Sequence, residues 1–370
     1  MSSNLELVGV IENLKYRKFL RTKLLRKSVG NFADLDINAL PPSCMLEVEG
    51  VTFALSKWVS PKRTRSYPYA RVYDTLNVGA VKSVTVIPIV KDEGLRGDRD
   101  FLQWDTVSLM SLLNVYVIPA YYSQASRASK VGKVTSQKFD SRYVARKLEE
   151  LKDYHASALH WNLKELSGEN LEQLMDKVIY SYRRIEGETG VKMHSEEGLV
   201  GFMKRIVKGV EEFKEFSRSK AVGAQHREAN TLQPKERIGT GRKAKITIRN
   251  YLGGYYYFTV DEVYRGNDML HLVEAKHSKK RLHPSYNDIK DGLLKIILYS
   301  NLSGLWVSGK RVRFKPVLKL TSSLIKGVYR GEEITTFMSG KSRKSEEFFP
   351  YLIKEAEFNG FDLWLEGVND

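Results

Sequence analysis

Apolar residues recur at two different periods along this chain, and the change of period divides it. Up to about residue 135 the apolar runs are short and rich in β-branched and aromatic residues. Cys44 to Leu55, Ala70 to Tyr73, Val84 to Val90 and Val115 to Tyr122 read as strands. Pro88 lies inside the third run, which marks an edge or a strand end. Ahead of them, Phe19, Leu20 and Leu24 are spaced helically within the basic stretch Lys15 to Lys27, and predict a helix with one buried and one basic face. From about 136 to 238 the period is helical. Val144, Leu148 and Leu151 predict a helix over Ser141 to Leu163, and Leu171, Leu174, Val178 and Tyr182 another after Ser167. Ser195-Glu196-Glu197 opens a long helix through Leu199, Phe202, Ile206, Val210 and Phe213.

After the break at Gly239-Thr240-Gly241 the strand period returns. Val260 to Lys276 reads as a β-hairpin, with Arg265-Gly266-Asn267-Asp268 as its turn. Ser285 or Asn287 caps a helix with Asp288 in its first turn, and Ile289, Leu293, Ile296 and Ile297 give it an apolar face to lay on a sheet. Leu305–Val307 and Val312–Lys315 read as a further strand pair, followed by a helix at about 345–358 and a short strand at Phe361–Leu365. The predicted class is α/β. The expected organisation is an N-terminal α+β region (1–135), a helical segment (136–238) and a mixed sheet flanked by helices (239–370), to which the helix ending near Glu228 also contributes.

Composition narrows the chemistry. At 42% hydrophobic and 11% aromatic residues the chain buries a core. It has no run of about eighteen apolar residues, and its first seven residues lack a signal-peptide layout, so neither a membrane span nor a secretory leader is expected. A single cysteine, Cys44, excludes an intramolecular disulfide, suits a cytoplasmic protein and reads as a packed thiol. With seven scattered histidines it offers no zinc-site spacing. The formal net charge of +16 favours a polyanionic partner, nucleic acid first.

Against that charge, the hairpin carries the most specific signal. Side chains alternate along a strand, so Glu274 and Lys276 project from one face, with Asp261 on the partner strand. Two carboxylates and an ammonium at a strand end suit a Mg²⁺ ion and a hydrolytic water. Asp, then Glu-x-Lys across a hairpin, resembles the PD-(D/E)XK nuclease superfamily, which includes most type II restriction endonucleases. The resemblance covers about residues 240–320, and Val260 stands where the family's proline often precedes the aspartate. It implies a restriction-endonuclease-like core and Mg²⁺-dependent hydrolysis of double-stranded DNA at a short sequence, leaving 5′-phosphate ends. It also implies a homodimer, and a cognate DNA methyltransferase as genetic partner. Asp261 and Glu274 would ligate Mg²⁺ with the Ala275 carbonyl, Lys276 would orient or help deprotonate the attacking water, and Glu228 is a candidate supporting carboxylate. Two alternatives stand beside it: a modification-dependent, repair or junction nuclease of the same superfamily, and a catalytically idle DNA-binding protein.

Other clusters invite weighing. Lys62, Arg63, Arg65 and Arg71 alternate with aromatics in a loop, and Lys279, Lys280 and Arg281 follow the hairpin; both groups suit DNA contacts. The acidic stretch Lys91 to Asp100 is a rival metal site or a turn held by ion pairs. Gly253-Gly254 suits a tight turn and lacks the lysine of a phosphate-binding loop. His271 and His277 flank the hairpin site without metal-site spacing.

Overall fold

A computed structural model describes residues 5–63, 65–230, 242–266 and 268–368. The residues cluster into two compact units, Lys23–Ser217 and the pair Met1–Thr22 with Arg218–Asp370. The cuts therefore fall at 22/23 and 217/218, where local composition suggested boundaries near 135 and 238. The reason is long-range strand pairing. Leu5–Ile11 runs parallel to Arg242–Asn250 and antiparallel to Gly304–Val307, a partnership that no local window reveals.

In the discontinuous unit, a nine-stranded mixed sheet forms among the described residues. Its order is Lys310–Val312, Gly304–Val307, Leu5–Ile11, Arg242–Asn250, Tyr255–Gly266, Met269–Ser278, Phe314–Ser322, Asp362–Gly367 and Val328–Arg330. The hairpin strands Tyr255–Gly266 and Met269–Ser278 are antiparallel, whereas Phe314–Ser322 and Asp362–Gly367 add to them in parallel. Helix Tyr286–Ser300 is the crossover between two of these parallel strands and packs on both. Ser285 caps it in a reciprocal box: its hydroxyl accepts the Asp288 N–H (3.1 Å), and the Asp288 carboxylate accepts the Ser285 N–H (3.2 Å). Gln225, in the second half of helix Val210–Asn230, donates to the Ile246 and Phe258 carbonyls, so this half belongs with the sheet as the sequence implied.

The other unit centres on a five-stranded sheet in the order Leu25–Val29, Ser43–Val48, Val51–Lys57, Lys82–Pro88 and Val115–Ala120. Its pairings are parallel except for the hairpin whose two-residue turn, Glu49-Gly50, has both φ angles positive. Pro88 ends its strand, as expected. Two small antiparallel pairs complete it, Val90–Asp92 with Arg99–Phe101 and Tyr122–Arg127 with Val134–Phe139.

Several expected elements differ. Ala70 to Tyr73 lies in a helix, Pro68–Thr75, because Pro68 occupies the first turn, where its missing N–H costs nothing. Lys15 to Lys27 forms no helix. The Phe19 and Leu20 N–H groups donate to the buried Glu355 carboxylate instead of to helical carbonyls, and residues 25–29 join a sheet. Ser141 to Leu163 splits into Ser141–Lys152 and Ala158–Glu165, each with its own cap, Asp140 and Ser157. The helix after Ser195 ends at Ile206, and Val210–Asn230 is separate; between them Gly209 has φ +141°, outside helical space. Among the described residues no helix is long and apolar enough to cross a membrane. Gly239-Thr240-Gly241 and the turn residue Asn267 lie outside the described residues.

Candidate active site

Backbone pairing in the hairpin runs from Gly266–Met269 to Glu262–Val273. At the next position a side chain takes over: the Asp261 carboxylate accepts the Ala275 N–H at 2.9 Å. That bond holds Asp261 beside the strand carrying Glu274 and Lys276. Alternation then does what the sequence required. Lys276 Nζ lies 3.0 Å from Glu274 Oε1, with both side chains on the face covered by helix Tyr286–Ser300.

The helix adds two groups that the motif does not announce. Lys295 Nζ lies 2.9 Å from Glu274 Oε2, and Asp291 Oδ2 is 3.3 Å from Lys276 Nζ. Glu274 is thus fully buried between two ammoniums. Asp291 and Lys295 stand at i and i+4, one face of a helix. A lysine set between Leu293-Leu294 and Ile296-Ile297 is the signal that would have found Lys295. Close approach depends on Gly292. A Cβ there would meet Leu318 Cδ1 and Lys276 Cε, each at 3.1 Å, and Glu274 Cγ at 3.4 Å.

The electrostatics follow from burial and charge. Burial first, and then the nearby Glu274 charge, push the Asp261 carboxyl up to about 7. Burial also pushes Glu274 upward, but the ammoniums of Lys295 and Lys276 outweigh it and hold Glu274 below its usual range. Lys276 loses from burial and gains more from Glu274, so its ammonium is held well above its ordinary value. Burial raises Asp291.

Among the described residues no group of three or more His, Cys, Asp or Glu side chains is arranged to hold a metal ion. Mg²⁺ asks for less: one or two carboxylates, with waters filling the rest of its octahedron. Asp261 and Glu274 are two hard oxygen donors close enough for the charge of one to raise the other, which fits a divalent cation. The Ala275 peptide directly follows Glu274, and its N–H is tied to Asp261.

The remaining candidates fall in several places. The Glu228 side chain lies outside the described residues. Lys279, Lys280 and Arg281 are exposed in the loop between the hairpin and its helix. His271 packs against both Tyr264 and Trp364, with ring centroids 5.0 and 5.6 Å away, and His277 Nδ1 is 2.9 Å from Thr321 Oγ1. Gly253-Gly254 forms the expected tight turn, where Asn250 Oδ1 accepts the Leu252 and Gly254 N–H groups.

In the other unit, Lys62 is exposed, while Arg63 and Arg65 are half-buried. Arg65 pairs with Glu93, Asp98 and Asp100, and Arg71 donates to the Lys57 carbonyl at 2.6 Å. The acidic stretch is therefore a turn held by ion pairs, extended by Lys91–Glu93 at 3.1 Å and Arg99–Asp92 at 3.7 Å. Cys44 is buried, and burial pushes its thiol up to about 11.

Comparison with protein-family models, with curated proteins and with solved structures found no match. What the chain itself shows is a mixed α/β protein in which Asp261, Glu274 and Lys276 come together under one helix.

Proposed function

We propose that the chain is a Mg²⁺-dependent nuclease of the PD-(D/E)XK type, acting on double-stranded DNA at a short specific sequence as a type II restriction endonuclease. The observation that carries this reading is the convergence of Asp261, Glu274 and Lys276 where the backbone pairing of the hairpin ends. The net charge of +16 supports a polyanionic substrate.

Asp261 and Glu274 would hold the ion, with the Ala275 carbonyl as a further oxygen. When bound, Mg²⁺ lowers the pKa of a coordinated water and offsets charge building on the phosphate. Lys276, held as an ammonium, orients the attacking water and faces the negative charge of the transition state. A homodimer on a symmetric site, a cytoplasmic location and a cognate methyltransferase belong to the same proposal. Cleavage confined to modified or branched DNA would instead select the modification-dependent, repair or junction nuclease.

A second reading, the idle DNA-binding protein, draws support from Lys295, which occupies the Glu274 oxygen that Lys276 leaves. Plasmid DNA incubated with the protein and Mg²⁺ separates the two. Discrete products that vanish with chelator support the nuclease; tight binding without nicking supports the idle protein. Glu274→Ala and Lys276→Ala should each reduce cleavage by about 10²-fold or more, while Asp98→Ala and Asp100→Ala leave it within a few-fold. Undiminished cleavage by Glu274→Ala would sink the site.

A further inference from the structure

A cavity of about 530 Å³ opens in the Lys23–Ser217 unit, beside the strand pair Tyr122–Arg127 and Val134–Phe139. That volume suits a small-molecule site. Its lining combines three chemistries. Trp58, Tyr122 and Phe139 supply an aromatic wall, the last two stacked at 4.6 Å with 23° between ring planes. Lys57, Arg71, Lys91 and Lys138 supply positive charge against one lining carboxylate, Glu93, which Lys91 and Arg65 already pair. Lys57 Nζ donates to the Ile37 and Leu40 carbonyls at 2.6 Å each, and Arg71 to the Lys57 carbonyl. These neutral partners fix both cations in place without cancelling their charge.

The third chemistry is unmet hydrogen bonding. Trp58 Nε1 and Gln137 Oε1 are buried polar atoms with no hydrogen-bond partner among the described residues, and both residues line this cavity. An unpaired buried donor or acceptor costs about 1–3 kcal/mol, and native proteins keep few. Trp58 Nε1 can donate and Gln137 Oε1 can accept, and a nucleobase edge carries groups of both kinds.

We propose that this cavity binds a nucleoside 5′-phosphate unit, with the phosphate at the Lys57–Arg71 side and the base against the aromatic wall. The unit has two sources: a free nucleotide, or a nucleotide swung out of a DNA strand. Only the second source rests on the DNA reading above. Inorganic phosphate would leave the aromatic wall and the amide unused.

Calorimetric titration of the full chain tests the first source, using the four 2′-deoxynucleoside 5′-monophosphates, the matching nucleosides and inorganic phosphate. A nucleotide should bind more tightly than either of its halves. Gln137→Ala and Arg71→Lys should weaken it about tenfold, and Lys138→Ala, an exposed change that leaves folding untouched, several-fold. The second source is read by fluorescence of a duplex carrying 2-aminopurine, in chelator so that nothing is cut. A rise on binding that Gln137→Ala suppresses assigns the site to an extruded nucleotide.

Absence of both signals overturns the proposal. So does phosphate binding as tightly as nucleotide, or binding that none of the three variants weakens. Both arms read binding alone, so their failure leaves the nuclease reading standing, and the loss of cleavage in Glu274→Ala says nothing about this cavity.

Discussion

Lys295 Nζ and Lys276 Nζ each take one of the two oxygens of Glu274, at 2.9 and 3.0 Å. The carboxylate on which metal binding would depend is therefore already neutralised by protein cations. A divalent ion held by Glu274, as proposed, would compete with Lys295 for the same oxygen. In Lys295→Met, thermal stability in chelator should fall by about 3 kcal/mol, because one arm of a buried ion network is gone. The Mg²⁺ concentration giving half of the stabilising shift should fall about tenfold. A melting-temperature titration with Mg²⁺ reads both, and an unchanged Mg²⁺ midpoint contradicts the competition.

Gly292 sets the distance between the helix and the site. Gly292→Ala gains about 1 kcal/mol of helix propensity and loses about 1–3 kcal/mol to crowding against Leu318 and Lys276. Net stability should fall by about 0–2 kcal/mol, while cleavage drops about tenfold as Lys276 is displaced. Urea denaturation and plasmid cleavage measured on one preparation separate these effects. Full activity in the variant shows that the contact gives way harmlessly.

Asp261 links stability to pH. Its folded-state value, about 7 against an ordinary 3.8, means that the folded protein holds a proton that the unfolded chain has released between those limits. Without divalent cations, stability should decline as pH rises through that window and level off above it. Asp291, also raised, adds to the decline, while Glu274, held low, acts in the opposite sense at the acid end. Urea midpoints from pH 5 to pH 8 in chelator should show the slope, and Asp261→Asn should flatten much of it. A slope untouched by that change refutes the assignment.

Glu355, buried on helix Arg343–Asn359, accepts hydrogen bonds from Tyr16 Oη (2.6 Å), Phe19 N (2.7 Å) and Leu20 N (2.9 Å). Glu355→Ala leaves those donors without their acceptor and should cost about 3 kcal/mol; Glu355→Gln, which keeps an oxygen, about 1–2. Equilibrium unfolding measures both. Equal, small losses mean that the segment finds other partners.

Asp261 and Glu355 also mark how far the chain could be read. The Asp261–Glu274–Lys276 grouping was legible because strand alternation and one turn place all three, and Ser285 and Asp288 cap their helix through contacts three residues apart. Lys15 to Lys27 misled because its spacing is helical while its acceptor, Glu355, lies more than 330 residues away. Lys295 was missed although its place between Leu293-Leu294 and Ile296-Ile297 sets it on the apolar face; its partner, Glu274, lies on a strand outside the helix. The break at Gly209 and the helix opened by Pro68 were open to local reading, and there the apolar spacing outweighed the backbone chemistry of glycine and proline.

The strand Leu5–Ile11 is hydrogen-bonded on both sides to segments made much later, Arg242–Asn250 and Gly304–Val307. On a ribosome these residues emerge ahead of both neighbours and wait on the order of tens of seconds for either one. The contiguous Lys23–Ser217 unit can complete its own sheet during that interval. Order of synthesis is thereby built into the topology: the strands around the cationic cavity are made before the hairpin site, which closes only once helix Tyr286–Ser300 has followed its strands.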